Sequence, residues 1–139
     1  MVQANELRLG NHVKYDDGTI TTIEGIRQHD VYLDGFPQPL SLSVILPIPL
    51  TPDVLERCGF EGQDGEFQHP ENTDFDLMIC CSENGLWCAY NFGQSFDGFA
   101  VITPRVNIVP NPICNPFKHL HQLQNLYYCL CGTELNFTL

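Results

Sequence analysis

The sequence has little positive charge. Its 139 residues contain six lysines and arginines against seventeen aspartates and glutamates, which gives a formal net charge of −11. The six cations are scattered singly, whereas binding to a phosphate backbone requires clustered Lys and Arg side chains that release counterions. We therefore expect no nucleic-acid binding. The acidity favours solubility, and the alternative is a surface that mimics DNA or receives a basic partner.

The sequence also lacks a long hydrophobic run. Its longest uncharged stretch, Gly35–Pro52, contains five prolines and cannot form a membrane helix. The first residues do not resemble a secretory signal, because Glu6 and Arg8 precede any apolar run. We expect a soluble protein of the reducing cytoplasm with no membrane partner. Its seven cysteines should then remain thiols.

The signatures of cofactor and metal sites are missing as well. The sequence has no C-x-x-C pair, no P-loop, no G-x-G-x-x-G and no calcium loop. His119 and His121 are two residues apart on a predicted helix, so their rings should point in different directions and not chelate together. The segment Gly93–Asp97 lacks the second glycine of a nucleophile elbow. We predict no cofactor, no metal and no catalytic residue.

The length and the 43% hydrophobic content predict one folded domain, residues 1–139, of the α+β class. Residues 1–50 contain short apolar segments separated by turn signals such as Asp17-Gly18. Their β-branched and aromatic residues are typical of a curled sheet. We predict an SH3-like β-meander or barrel, formed by Asn11–Tyr15, Thr19–Arg27, Val31–Asp34 and Leu40–Leu46.

The middle of the chain predicts a short helix and a loop. Thr51-Pro52 is typical of a helix start, because the hydroxyl caps free amides and proline fits the first turn. Gly59 should end this helix, which we place in residues 51–60. Residues 61–76 hold six acidic residues and no lysine or arginine, which predicts a solvated acidic loop.

A second antiparallel region is predicted for residues 77–109. Asn84-Gly85 lies between two apolar runs and indicates a two-residue hairpin turn. Such a turn places Cys81 opposite Cys88 on the core side, and Trp87 on the other side. Facing cysteines invite a redox interpretation, but no nearby cation would activate a thiol, and we favour buried thiols.

The C-terminal part predicts the only long helix. Asn115-Pro116 is typical of a helix start, and Gly132 is placed to end it. Leucines and tyrosines recur between them at helical spacing, so we assign residues 115–132 to this helix. Residues 134–139 alternate between apolar and polar side chains, which predicts a final short strand.

Two groups of side chains are candidate binding sites. His121, Gln124 and Tyr128 fall on one helical stripe, where they either read a ligand or satisfy buried carbonyls of an adjoining sheet or loop. Trp87 and Arg105 form the second group, since an aromatic on a half-exposed face and a lone arginine are able to stack on and pair with an anionic ring system. The alternative for this group is core packing for the tryptophan and an ordinary surface position for the arginine.

Three blocks of the sequence resemble those of a small protein family. The blocks are Ala4–Asn11 (ANELRLGN), Pro47–Thr51 (PIPLT) leading to Cys58-Gly59-Phe60, and His121–Tyr127 (HQLQNLY) followed by Gly132 and Glu134-Leu135. The family belongs to Bacteroidetes bacteria and their phages and prophages, and it has no assigned activity. Cys129 and Cys131 depart from the small residues usual in that family. The resemblance implies a protein of phages or mobile elements.

These observations favour a non-catalytic binding protein of the phage or mobile-element type, which sequesters a nucleotide-type immune signal or blocks a host factor. One alternative is a protein–protein interaction module of unknown pathway. Another is a small hydrolytic enzyme that uses His121 or a cysteine. The expected partner is a small anionic ligand or a host protein, and the sequence leaves the oligomeric state open.

Overall fold

A computed structural model of the chain describes residues 2–63, 65–69, 77–81, 85–91 and 115–138, with the backbone alone at Leu77, Tyr90 and Asn91. The chain divides into two compact units. The first comprises residues 1–50 and 119–135, and the second comprises residues 51–118 and 136–139. The single domain of residues 1–139 stays a prediction. None of the described helices has the length and apolar character needed to cross a membrane.

The first unit contains a five-stranded antiparallel sheet, as its apolar pattern predicts. Its strands are β1 (His12–Tyr15), β2 (Ile20–Ile26), β3 (Asp30–Leu33), β4 (Leu40–Ser41) and β5 (Ile45–Leu46). Their order in the sheet is β4-β3-β2-β1-β5. The turn between β1 and β2 contains Gly18, whose φ of 91° is a conformation that glycine adopts without strain. The core of this sheet is apolar and consists of Val2, Leu7, Val13, Ile23, Val31, Leu33, Leu42 and Ile45.

The sheet is open, and the SH3-like barrel expected for residues 1–50 is not confirmed. Among the described residues, β4 and β5 are the two edges and pair with β3 and β1 respectively. The run Leu40–Leu46, expected to close a barrel, is interrupted by the 3-10 helix Leu42–Val44. Ser41 caps that helix by accepting a hydrogen bond from the Ser43 amide at 3.2 Å. Two strands of only two residues remain, too short to close the sheet.

The predicted long helix is present in the first unit as Leu120–Cys131. We call it α2, because the short helix α1 (Pro52–Arg57) of the second unit precedes it in the chain. It ends as expected, because Gly132 adopts a φ of 74° and its amide bonds to the Tyr128 carbonyl at 2.9 Å. It begins five residues later than expected (115 against 120). Extended pairing competes with the helix there, since His119 forms a β-bridge with Pro49.

The second unit begins with α1 (Pro52–Arg57), inside the range predicted for it. Thr51 caps α1 by accepting a hydrogen bond from the Val54 amide at 3.2 Å. A four-stranded antiparallel sheet follows in the order β6-β7-β8-β9. Its strands are β6 (Glu61–Gln63), β7 (Glu66–Gln68), β8 (Leu77–Cys81) and β9 (Trp87–Asn91).

The prediction of a loop over residues 61–76 is wrong for β6 and β7. These strands pair through their backbones, and β7 also pairs with β8. Gly65 makes the tight connection possible with a φ of 79°. Phe67 is buried while Glu66 and Gln68 on either side of it are exposed, so the strand keeps its acidic side chain in solvent. Acidic composition therefore did not prevent strand formation.

The predicted hairpin β8–β9 exists, but its register differs by one residue. Cys80 pairs with Cys88, Cys81 pairs with Trp87, and five residues separate Cys81 from Trp87 (82–86). A two-residue turn at Asn84-Gly85 would leave an even number of residues between each pair of facing residues, and the number observed is odd. The predicted pair of Cys81 with Cys88 is therefore wrong. A shift of one residue exchanges the faces of a strand. Trp87 consequently lies on the buried face with Ile79 and Ala89.

Two further predictions concern the ends of the antiparallel region and of the chain. The strands expected within 99–109 lie outside the described residues. The strand expected over residues 134–139 is absent from the described part, Glu134–Thr138. Leu135 is buried and the Thr138 amide bonds to the Arg57 carbonyl at 2.9 Å, but these contacts form no ladder. The α+β class, with two antiparallel sheets and a C-terminal helix, is confirmed.

Candidate functional site

The most connected polar cluster of the first unit joins its N-terminal segment to α2. We call it the Asn125 network, and it consists of Glu6, Arg8, Asn11, Asn125 and Glu134. The side-chain amide oxygen of Asn125 accepts hydrogen bonds from Asn11 at 2.8 Å and from Arg8 Nε at 3.3 Å. The side-chain nitrogen of Asn125 donates to the Glu6 carbonyl at 2.9 Å. Residues from the quoted blocks at the two ends of the chain thus meet in one cluster.

The local conformation of the N-terminal segment prepares this contact. Asn11 is fully buried, and its side-chain oxygen accepts from the Arg8 amide at 2.7 Å, which closes a short turn. Gly10 lies inside that turn with a φ of 89°. The turn leaves the side-chain nitrogen of Asn11 directed at α2, where Asn125 satisfies it.

Arg8 lies at the surface end of the network. Its guanidinium forms two hydrogen bonds to the Glu134 carboxylate, one of them between Nη2 and Oε2 at 2.9 Å. This ion pair raises the pKa of Arg8 and lowers the pKa of Glu134. The guanidinium carbon also lies 4.2 Å from the centre of the Tyr128 ring, a cation–π contact. Tyr128 is 41% exposed and Leu9, whose carbonyl accepts from Arg8 at 3.3 Å, is 55% exposed.

Gln124 has a structural role in this cluster. Its side-chain oxygen accepts from the His12 backbone amide at 2.9 Å, and its nitrogen lies 2.9 Å from His12 Nδ1. Because an amide nitrogen only donates, Nδ1 is the acceptor and we assign the ring proton of neutral His12 to Nε2. Burial lowers the pKa of His12, which favours this neutral form. The sequence allows two roles for the helical stripe, ligand binding and hydrogen bonding to buried groups of the sheet. The contacts of Gln124 fit the second role.

His121 is fully buried beside this cluster. Its Nε2 lies 3.3 Å from the Glu6 carboxylate. Neither ring nitrogen has a partner in hydrogen-bonding geometry among the described residues. Burial lowers the pKa of His121, the Glu6 carboxylate partly opposes that effect, and His119 adds to it. The predicted stripe is therefore split: His121 and Gln124 face inward, and Tyr128 faces solvent.

The expectation that the rings of His119 and His121 point in different directions is wrong. The two rings are stacked, with centres 5.7 Å apart and planes 10° apart. His119 precedes the helix with extended φ and ψ, so helical spacing does not apply to it. Within the described residues, no group of three or more His, Cys, Asp or Glu side chains is arranged to hold a metal ion.

Of the second predicted group, Trp87 and Arg105, only Trp87 is among the described residues. Trp87 lies in the second unit, is 3% exposed and packs against Phe67 with ring centres 5.9 Å apart. Core packing, the alternative interpretation, fits that position. Arg105 lies outside the described residues. Among the cysteines, Cys58 is buried, and burial raises the pKa of its thiol to about 12, so it stays protonated.

Helical periodicity indicated His121, Gln124 and Tyr128, which adjoin the Asn125 network, but it did not indicate the other residues of the site, namely Arg8, Asn11, His12, Asn125 and Glu134. Most of these residues lie in the quoted terminal blocks of the sequence, but the blocks do not show that they come together. Comparison with protein-family models, curated proteins and solved structures finds no match to the chain.

Proposed function

We propose that this protein works by binding another protein, without catalysing a reaction. The observation that carries the proposal is a group formed by the exposed side chains of Leu9 and Tyr128 and the partly exposed side chain of Arg8, which we call the Tyr128 surface. It combines an aliphatic side chain, an aromatic ring and a guanidinium stacked on that ring. Tyrosine and arginine are among the residues that most often dominate the energy of protein interfaces.

The Tyr128 surface is held in place before any partner arrives. Arg8 is fixed by Glu134 and Asn125, and Tyr128 projects from a helix whose opposite side is buried. Immobilising a flexible side chain during association costs about 0.5–1.5 kcal/mol. A surface that is already ordered avoids that cost, and this supports a role in recognition.

The charge arrangement favours a protein partner over a small anion. Arg8 shares its charge with the Glu134 carboxylate, so an incoming phosphate would have to compete with an existing ion pair. Two open depressions on the second unit, of about 370 and 490 Å³, both have carboxylates in their lining. Glu61 and Glu66 line the first, and Asp53, Glu56 and Arg57 line the second, where Arg57 is paired with Asp53. An anionic ligand would therefore meet a net negative lining at either place.

The other candidate functions have less support. Sequestration of a nucleotide-type signal would use Trp87 as a stacking platform, but that ring is enclosed in the core. A hydrolase based on His121 would need this side chain to reach a substrate, and it is fully buried. Isothermal titration with cyclic dinucleotides and ADP-ribose derivatives is expected to show no heat. Measurable heat would instead indicate that the protein binds a small nucleotide-type ligand.

The biological setting remains part of the proposal. The resemblance of the terminal blocks supports a phage or mobile-element protein that blocks a host factor. An SH3-like fold of the first sheet belongs to the same proposal. Its support is that β5 returns across the sheet to pair with β1, as a strand that curls toward barrel closure does.

The test is affinity capture from a Bacteroidetes lysate with the wild-type chain and two variants. The double variant Leu9→Ala/Tyr128→Ala removes the Tyr128 surface and leaves Arg8 paired with Glu134. The control is Leu46→Ala on the edge strand β5, because Leu46 is a similarly exposed apolar residue, at 44%, that is not a member of the Tyr128 surface. Circular dichroism confirms that each variant is folded.

We expect a partner protein that wild type and Leu46→Ala recover equally and that the double variant recovers at least about tenfold less, since two interface residues together contribute well over 1.4 kcal/mol. Equal recovery by all three proteins would place the interface elsewhere. Recovery of no partner by the wild type would contradict a protein-binding function.

A further inference from the structure

Two cysteines of the second unit face each other across neighbouring strands. Cys80 on β8 and Cys88 on β9 are direct partners in the antiparallel ladder. Both are half-buried, and neither is in a disulfide. We propose that they form a thiol–disulfide exchange site, which closes into a reversible bridge on reaction with a low-molecular-weight disulfide of the glutathione type. This inference is independent of the Tyr128 surface.

The backbone bonds around the pair define its spacing. Trp87 directs its amide and carbonyl to Phe117, at 2.7 and 2.9 Å, and therefore away from β8. The Cys81 amide likewise bonds to the Gly65 carbonyl at 2.8 Å, away from β9. Because antiparallel pairs alternate, the next pair, Cys80 with Cys88, is the type that exchanges both hydrogen bonds, with Cα atoms about 5.5 Å apart.

This spacing permits a bridge and makes it easy to reduce. A Cα separation of about 5.5 Å lies inside the range of about 4.4–6.8 Å that disulfides span. Side chains in this type of pair lie farther apart than in the alternate type, so a bridge here carries strain. Strained and partly exposed disulfides are the labile, regulatory ones. The geometry therefore fits a bond that forms under oxidation and is lost again in a reducing compartment.

The neighbouring cysteines are not equivalent to this pair. Cys81 is exposed, but its opposite residue is Trp87 and its side chain lies on the other face of the hairpin. Cys58 is buried, and its high pKa keeps it a thiol. Register thus singles out Cys80 and Cys88, and it provides Cys81 as a control at the adjacent position.

The exchange balances in two steps. The thiolate of one cysteine attacks a sulfur of the small disulfide, which forms a mixed disulfide and releases one small thiolate. The thiolate of the facing cysteine then attacks the protein sulfur of that mixed disulfide, which forms the Cys80–Cys88 bond and releases the second small thiolate. Two protons leave the protein thiols and protonate the released thiolates. The two electrons lost by the protein reduce the small disulfide to two thiols.

The test treats the whole folded protein with oxidised glutathione, blocks remaining thiols, and maps disulfides by peptide mass spectrometry. The Cys81→Ser variant is included so that the adjacent cysteines are not confused. In both proteins we expect a peptide linking Cys80 to Cys88, the loss of two alkylatable thiols, and recovery of both on addition of reduced glutathione.

The single variants Cys80→Ser and Cys88→Ser should trap the first step. Each removes one attacking thiol, so the remaining cysteine should carry a stable glutathione adduct and form no internal bridge. Separate adducts on Cys80 and Cys88 in the wild-type protein, or unmodified thiols at both positions, would overturn the proposal. A bridge from Cys88 to Cys81 would overturn it too, because it contradicts the register. The wild-type result decides the matter even if a variant fails to fold.

Discussion

The two units of this protein connect distant segments of chain in different ways. In the first unit, side chains join α2 to the N-terminal segment, since Asn125 bonds to Asn11, Arg8 and the Glu6 carbonyl, and Gln124 bonds to His12. One main-chain bond, from the Leu120 amide to the Ile48 carbonyl at 2.8 Å, adds to these at the start of the helix. In the second unit, main-chain bonds join distant segments, as between Trp87 and Phe117 and between Thr138 and Arg57.

This difference predicts which substitutions should destabilise each unit most. A main-chain bond survives most substitutions, so the second unit should respond chiefly to changes in core volume. A buried side-chain amide has several partners that all lose a bond when it is replaced. The first unit should therefore be sensitive to substitutions of polar residues that composition alone would class as ordinary.

The largest expected effect is in the core of the second unit. Phe67 is buried and packs at a steep angle against the Trp87 ring, so Phe67→Ala should lower the free energy of unfolding by about 3–5 kcal/mol through the lost burial and the cavity left behind. Gln68→Ala, an exposed neighbour on β7, is the control and should change it by less than about 0.5 kcal/mol. Denaturant unfolding measures both.

Hydrogen exchange makes the same variant a test of the comparison. Phe67→Ala should accelerate exchange most in β7 and β8. If α2 loses protection to the same extent, the two units unfold as one, and the contrast drawn between them does not govern stability.

Asn125→Ala should have the next largest effect. It leaves the buried Asn11 side-chain nitrogen and the Glu6 carbonyl without their partner, at a cost of about 1–3 kcal/mol for each buried group that stays unsatisfied. We expect a total loss of about 2–4 kcal/mol in urea unfolding. Gln63→Ala, at an exposed polar residue on β6, should cost less than about 0.5 kcal/mol. If the free energy of unfolding fell equally in both variants, the Asn125 network would contribute no more to stability than an exposed side chain does.

The smallest effect is a pH dependence that arises from two histidines of the first unit. Burial lowers the pKa of His121 in the folded protein, with Glu6 opposing and His119 adding to the shift, while the unfolded chain takes up a proton near the ordinary value of 6.5. Between the lowered pKa and 6.5 the unfolded state holds more protons, so the free energy of unfolding should fall as pH falls through that window. His12, whose pKa burial also lowers, acts in the same direction.

The measurement is the slope of the unfolding free energy against pH, from pH 7.5 down to about pH 5. His121→Gln should flatten that slope, because glutamine does not titrate. Glu134 does not interfere, since its lowered pKa matters only below its ordinary value of 4.5. An unchanged slope in His121→Gln would show that His121 is not the source of the acid response.

Local signals predicted local structure well. Thr51-Pro52 gave the position of α1, and Asp17-Gly18 gave the turn between β1 and β2, because a cap or a tight turn depends on a few adjacent residues. The register of β8–β9 was wrong because one residue in the connection decides every pair. The loop expected at residues 61–76 was wrong because the partner of β7, the strand β8, lies farther along the chain.

The candidate site followed the same division. Helical periodicity placed His121, Gln124 and Tyr128 on neighbouring positions of α2, but it could not reveal that Asn11 and Arg8 meet that helix from more than a hundred residues away. Whether Gln124 binds a ligand or forms hydrogen bonds with the sheet depends on this contact between the N-terminal segment and α2. Spacing within one helix contains no information about it.

The way the first unit is assembled has a consequence during synthesis on the ribosome. Its sheet is complete by residue 50, yet the helix that satisfies Asn11 and His12 begins only at Leu120. At a translation rate of about 5–20 residues per second, the roughly 70 intervening residues take about 4–14 seconds to emerge. During that interval the nascent sheet presents Asn11 and the His12 amide to water and to chaperones. Codon choices that slow translation between residues 50 and 120 would prolong that exposure.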